Sequence, residues 1–314
     1  MKLTDHILVI RFGALGDLVL CQQVFHEIRQ AHKDATILLL TTPPFESFAK
    51  SMPWFDAVLA TERAPYWRVD QWAELTTALY EFAPTRVYDF HGRFRQSVIF
   101  NLLGGRFWGP EWSGAASGCS HPRPWPPEEG AHFVDALAAQ MRSAGVPEAA
   151  SVDLSWLNAP LEKVELPQRY VMLIPGCSPA HPHKRWPMEH YAKLAIGLKE
   201  QGIACVAIGT KSEAYLVADL RRLAPDVIDL CGQTSLHQLA GVARRAMAVV
   251  GNDTGPTHLA AAVGAPTLAL FSGQTNPVWS APRGPKTTVL QRDPLPDLTP
   301  DEVLLALMKL AVSY

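Results

Sequence analysis

The segment GNDTGPTHLAAAVGAPTLALF, residues 251–271, sets an acid, two threonines and a histidine directly ahead of a nearly uncharged run. AMAVVGND before it reads as a strand. TGPTHLAAAVG reads as a helix that begins near Pro256 and ends at Gly264, with Asp253 or Thr254 as its cap. A helix start leaves backbone N–H groups without intrahelical partners and carries the positive end of the helix dipole, so it can hold an anion. The hydroxyls of Thr254 and Thr257, the backbone at Gly255 and the imidazole of His258 add donors there. Asp253 would repel a phosphate and fits better as an acceptor for a sugar hydroxyl or as the group that orients a neighbour. The competing reading is a packing helix whose small face lies close to a sheet. That reading explains the alanines but not His258 or the paired threonines.

Three further stretches carry candidate chemistry. In RFGALGDLVL, Gly13 and Gly16 permit a tight turn and a close backbone approach, but their GxxG spacing is neither a dinucleotide fingerprint nor a GxxxxGK[ST] phosphate loop. Asp17 in that loop is either a helix cap worth about 1 kcal/mol or a general base, since open parallel sheets bind ligands beyond the carboxyl ends of their strands. In LIPGCSPAHPHKRWPMEHY, residues 173–191, Lys184 and Arg185 are suited to a diphosphate, against the alternative of a solvated basic loop. The HPH pair, His181 and His183, is too sparse for a metal centre. Glu213, in AIGTKSEAYLVADL, follows a strand where an acid can accept from ribose hydroxyls, and spacing by itself equally suits an exposed glutamate at a helix start.

The elements that must position these residues alternate between short apolar runs and amphipathic stretches, the pattern of a doubly wound parallel sheet. Strands are expected at 6–12, 35–41, 57–61 and 86–90, and again at 169–176, 203–209, 227–232, 246–253 and 265–273. With 314 residues the chain has room for two domains, divided as 1–158 and 159–314 where periodicity fades around SWLNAPLEKVELPQRY, with a cleft between them. WGPEWSGAASGCSHPRPWPPEEGAH, residues 108–132, is dense in Pro, Gly, Ser and Trp and reads as a surface loop without regular structure, either a lid or an ordinary insertion. The C-terminal TPDEVLLALMKLAVSY reads as a capped helix with a candidate packing place back on the first domain.

Composition narrows the function classes. With 28 basic and 30 acidic side chains, net charge −2, the chain lacks the electrostatic footprint of a nucleic-acid binder. No apolar run approaches the roughly 20 residues of a membrane span, and the opening MKLTDHILVIRFGALGD lacks signal-peptide features, so a cytoplasmic location is expected. Five scattered cysteines without a CxxC pair argue for reduced thiols rather than a disulfide framework or zinc cage.

Taken in order, RFGALGD, DFHGRFRQS, IPGCSPAHPHKRWP, GTKSE and above all VGNDTGPTHLAAAVGAPTLALFS resemble glycosyltransferase family 9, the ADP-heptose heptosyltransferases of the lipopolysaccharide inner core. The resemblance implies a GT-B architecture of two Rossmann-like α/β domains, with the acceptor on the N-terminal one and the nucleotide sugar on the C-terminal one. It implies inverting transfer with no metal and no cofactor. By the same resemblance Asp17 is the catalytic base, Lys184 meets the donor phosphates, Glu213 the ribose, and Thr234 lines the base pocket. Asp253, Thr254, Gly255 and His258 form the donor loop. Arg63, Arg93 and Arg95, with Arg68, are candidates for an anionic acceptor, whose identity is tied to a lobe in which 108–130 matches no familiar family pattern. Implied partners are an ADP-sugar, a glycan or lipid-linked acceptor and a peripheral contact with the inner membrane. A uridine-dependent GT-B enzyme, a nucleotide-sugar epimerase and a non-catalytic sugar-nucleotide binder stand as rivals.

Overall fold

The computed structural model describes residues 5–63, 65, 67–92, 94–161 and 165–312. The chain divides into two compact units, Met1–Asp153 and Leu154–Tyr314. Residues 154–158, expected in the first domain, fold with the second unit: the Arg244 guanidinium donates to the carbonyls of Leu154 and Leu157, both at 2.6 Å.

In the first unit six parallel strands, β1 (His6–Ile10), β2 (Thr36–Thr41), β3 (Ala57–Ala60), β4 (Arg86–Asp89), β5 (Glu111–Gly114) and β6 (His121–Pro122), lie in the order β3-β2-β1-β4-β5-β6. Continuous apolar runs such as ILVI form the central strands because helices cover both faces of a parallel sheet. Ile7, Leu8, Val9 and Ile10 are accordingly all buried. Ile10 at the end of β1 is level with Leu40 on one side and Asp89 on the other.

Strands β5 and β6 correct the expectation of an unstructured loop at 108–132. EWSG pairs with β4 in parallel register, Trp112 opposite Val87, and the Trp112 indole is fully buried against Phe100, ring centroids 5.2 Å apart. The Pro- and Gly-rich composition hid it because a parallel strand this short needs only its ladder and one anchoring side chain. The Trp112 N–H donates to Ser120 Oγ (2.7 Å), and the Arg123 N–H to the Gly114 carbonyl (2.7 Å), so the segment closes one edge of the sheet.

The second unit repeats the plan with β7 (Tyr170–Ile174), β8 (Ala204–Ala207), β9 (Ile228–Asp229), β10 (Ala248–Asn252), β11 (Thr267–Ser272) and β12 (Thr287–Arg292), in the order β12-β11-β10-β7-β8-β9, all parallel. β12 escapes a periodicity reading because TTVLQR is a partly exposed edge strand with little apolar patterning. The terminal helix Pro300–Val312 packs on helix Met188–Glu200 and places Val303 and Leu307 in the core of its own unit. All five cysteines are free thiols. Among the described residues no helix is long and apolar enough to cross a membrane.

Candidate functional site

Each sheet has one point at which strand order reverses, β1/β4 in the first unit and β7/β10 in the second. Loops leaving the carboxyl ends of adjacent strands diverge there and leave room for a ligand. Asp17 and Arg63 stand at the first of these points, and Lys184, Asp253, Thr254, Gly255 and His258 at the second.

In the second unit Asn252, the last residue of β10, is fully buried and joins the two strand ends. Its Nδ2 donates to the carbonyls of Pro175 (2.8 Å) and Gly176 (3.2 Å), while Oδ1 accepts from the Trp186 N–H (3.1 Å) and lies 3.1 Å from the Tyr191 hydroxyl. All the bonding capacity of the amide is used, three of its four bonds holding the 175–186 loop and the fourth meeting helix Met188–Glu200 at Tyr191. That loop ends in the short turn Pro182–Lys184, and Lys184 Nζ meets Asp253 Oδ2 at 2.6 Å. His258 Nε2 faces the other carboxylate oxygen at 3.6 Å. Asp253 is 6 % exposed. Burial pushes its carboxyl up, but the His258 ring and the Lys184 ammonium outweigh that and hold it below the usual carboxylate range.

Helix Gly255–Ala262 starts beside this trio with Thr254 in the extended N-cap position and Pro256 in the first turn. Its first ladder bonds run from the N–H groups of Thr257 and His258 to the Thr254 carbonyl (3.1 and 3.2 Å). Since Pro256 has no N–H, Thr254 and Gly255 supply the backbone donors at the very start. The Thr257 hydroxyl differs from its expected role as a ligand donor, because it turns inward and donates to the Asn252 carbonyl at 2.7 Å. Close packing requires this: a Cβ on Gly251 of β10 would stand 2.3 Å from Thr257 Oγ1.

Glu213 is half-buried at the start of its helix. Its Oε2 accepts from the Thr210 N–H (2.8 Å) and hydroxyl (2.7 Å), capping the turn Lys211–Glu213. Its Oε1 lies over Gly176 at the end of β7, where a Cβ would come within 2.0 Å of it. The neighbouring loop after β9 is pinned to the same turn by Cys231 Sγ, 2.9 Å from the Thr210 carbonyl, and by Gly232, which packs on Lys211. Thr234 stands half-buried in that loop, just ahead of the Ser235 cap of helix Leu236–Arg245.

In the first unit Asp17 lies in the first turn of helix Leu15–Leu20 rather than at its cap, which is Ala14. Its Oδ2 accepts from the Ala14 N–H (3.3 Å) and its Oδ1 pairs with Arg11 Nη2 (2.9 Å), while 42 % of the side chain is exposed. Gly16 is buried in the same turn. Gly13 does accept a close approach, but from within the chain: a Cβ there would lie 2.3 Å from the Phe45 ring, and Arg63 donates to the Gly13 carbonyl while lying over Phe12.

Of the candidate acceptor arginines among the described residues, Arg63 is the one seen at the Asp17 loop. Arg95 stacks on Trp72 (5.2 Å to the ring centroid) and Arg68 pairs with Asp70 (2.6 Å) at an exposed helix start. Arg93 lies outside the described residues.

Sequence reasoning missed the polar residues that support Asp17. Asp89, at the end of β4, is fully buried; its Oδ1 accepts from the N–H groups of His91 (2.9 Å) and Gly92 (3.1 Å), and burial pushes its carboxyl up. Arg123 and Gln140 both donate to the Asp89 carbonyl, at 2.7 and 3.0 Å, and Arg123 Nε also donates to Gln140 Oε1 (2.7 Å). The available signal was a charged residue closing each apolar strand, in ILVIRF and VYDF.

The model of glycosyltransferase family 9 (heptosyltransferase) matches residues 72–301. The chain belongs to this family. Lipooligosaccharide heptosyltransferase 2 of Haemophilus influenzae is 36 % identical over 115 residues, 35 % of this chain and 33 % of that protein. The match thus spans about a third of the length of that curated relative. The structure of E. coli ADP-heptose lps heptosyltransferase II superposes with a TM-score of 0.78 at 22 % identity, covering 98 % of this chain and 99 % of the other. E. coli heptosyltransferase WaaC with ADP gives 0.78 at 19 % identity over 97 % and 99 %. The family's fold, two doubly wound α/β units of GT-B type, is the one that the resemblance implied.

Proposed function

We propose that this protein is an inverting, metal-independent glycosyltransferase that moves a heptose or related sugar from an ADP-sugar to a lipopolysaccharide-core or other glycan acceptor. The observation that carries the reading is the convergence of Lys184, His258 and the Thr254 and Gly255 amides at the β7/β10 switch point, donors suited to a diphosphate, with Asp253 holding Lys184 and His258 in place. Glu213 would accept from the ribose and the Thr234 loop would line the base, so the second unit takes the donor. The first unit takes the acceptor beside Asp17, with Arg63 contributing to an anionic group. Membership of the family, and the ADP that E. coli WaaC holds in its solved structure, support the nucleotide.

In the proposed reaction the acceptor hydroxyl gives its proton to Asp17 as its oxygen bonds to the anomeric carbon. The bond from that carbon to the diphosphate oxygen breaks, and ADP leaves with the electron pair. Negative charge grows on the leaving diphosphate, so Lys184 and the helix-start amides stabilise the transition state more than the ground state. They supply the positive charge that a divalent ion provides elsewhere. A lipid-linked acceptor would bring the protein to the cytoplasmic face of the inner membrane, and the exposed aromatics Phe107 and Trp108 offer a surface for that contact.

The test joins binding to turnover. Calorimetry should show ADP binding more tightly than UDP or GDP, and ADP-heptose should be consumed only with a core acceptor present. Asp17→Asn should lower kcat by about 10²–10⁴-fold with ADP affinity intact. A preference for UDP would point to another donor; donor binding without transfer or hydrolysis would make the protein a binder.

A further inference from the structure

We infer that Arg11 is the positioning residue of the base, fixing the Asp17 carboxylate from the floor of the first unit's switch point; the inference rests on the proposed role of Asp17. Arg11 follows β1 directly, and its N–H continues the ladder to the Leu40 carbonyl at 3.1 Å. Its side chain is only 7 % exposed. A guanidinium taken out of water must be met by acceptors of fixed geometry, and this one finds two. Nη1 donates to the Phe90 carbonyl at 2.5 Å and Nη2 to Asp17 Oδ1 at 2.9 Å, with the Phe133 ring 5.1 Å from the guanidinium carbon.

The acceptor opposite Asp17 is itself immobilised. Phe90 follows Asp89, whose carboxylate gathers the His91 and Gly92 N–H groups and whose carbonyl receives both Arg123 and Gln140. Gly92 takes φ +62° there, and a Cβ on it would stand 2.7 Å from Arg123 Nη1. The Phe90 carbonyl is thus part of a bonded turn, and Arg11 transmits that fixed point to a carboxylate on a different element. With Oδ1 held by Arg11 and Oδ2 directed by the Ala14 N–H, Asp17 has one orientation although much of its surface is open. That combination suits a base: a group that must meet a hydroxyl at hydrogen-bond distance loses rate when it wanders, and an error of 1 Å costs on the order of 10²-fold. Arg11 touches no reacting group; it acts through Asp17.

The experiment is a double-mutant cycle. In a protein that melts as the wild type does, Arg11→Met should lower kcat by roughly 10- to 100-fold, with the donor KM and ADP affinity within about twofold, since the donor residues lie in the second unit. In an Asp17→Asn background the same change should leave the residual rate unaltered. An undiminished kcat for Arg11→Met, or an equal loss in both backgrounds, overturns the inference. If Arg11→Met does not fold, Arg11→Lys carries the test: it keeps a buried cation, yet one ammonium replaces the fork that spans both acceptors, so kcat should fall at unchanged donor KM, and full kcat overturns the idea. The two readings fail differently. A wild-type protein without transfer, or Asp17→Asn at the wild-type rate, removes the proposed function and this inference with it. An inactive Asp17→Asn beside fully active Arg11 variants removes the inference alone.

Discussion

Asp253 is a buried carboxylate that persists because a lysine and a histidine meet it, and those two partners belong to the proposed diphosphate site. Removing Lys184 therefore acts twice. Lys184→Ala should weaken ADP binding by about 10- to 100-fold, the worth of a hydrogen bond to a charged group, and should destabilise the unit by leaving Asp253 buried without its cation; calorimetry and urea unfolding read the two effects. The pH dependence follows from the depressed carboxyl of Asp253. A group whose folded pKa lies below its unfolded value contributes stability that is present above the unfolded value, about 3.9, and lost as pH falls through the folded one. Asp253→Asn should cost about 2–3 kcal/mol near pH 7, less than a fully buried pair because the Lys184 head reaches water. Its stability gap to the wild type should then close as pH drops below about 4; a gap constant over that range would mean that the charge of Asp253 is not what matters. The residue types of this trio were legible in the sequence, but its pairings were not, since loops far apart in the chain meet only when β7 and β10 become neighbours. Arg11 and Asn252 were less legible still. Each is one polar residue closing an apolar strand, and its role depends on carbonyls that sequence does not place.

The helix Gly255–Ala262 must come close to β10 for its first amides to stand at the strand end, and small residues on both sides make that approach possible. Gly251→Ala tests this directly. The new methyl would sit 2.3 Å from Thr257 Oγ1 and 2.9 Å from Ile174 Cβ, so the helix start must shift. The expected result is a loss of about 1–3 kcal/mol together with weaker ADP binding; lost stability with unchanged ADP affinity would detach the helix start from the nucleotide. The alanines and glycines of this element announced its packing in the sequence, and the long apolar strands were equally plain. β5 and β12 were not, and for different reasons. Trp112 is the large buried side chain of a short strand inside a proline-rich stretch, so composition pointed the wrong way. β12 is an edge strand whose hydrogen bonds to β11, rather than its side chains, define it. Trp112→Ala should accordingly cost about 3–5 kcal/mol in urea unfolding, far more than a substitution in a surface loop.

Each unit has its own six-stranded sheet, its own apolar core and its own set of polar residues at a switch point. A nucleotide that binds only the second unit stabilises that unit by RT ln(1 + [L]/Kd), about 2.7 kcal/mol at a hundredfold excess over Kd. The ladder of the first unit, from β1 to β6, is internal to that sheet. Hydrogen exchange resolves this across the chain. Saturating ADP should slow exchange most in peptides covering 175–187, 209–213 and 252–258, more weakly through β7 and β10, and leave peptides covering 11–17 and 89–92 at their free rates. Protection centred on 11–17 would move the nucleotide to the first unit and reverse the proposed roles of Asp17 and Lys184. Equal protection over both sheets would show that the two units open as one, so that donor binding and the geometry of the base are energetically linked even though their residues belong to separate cores.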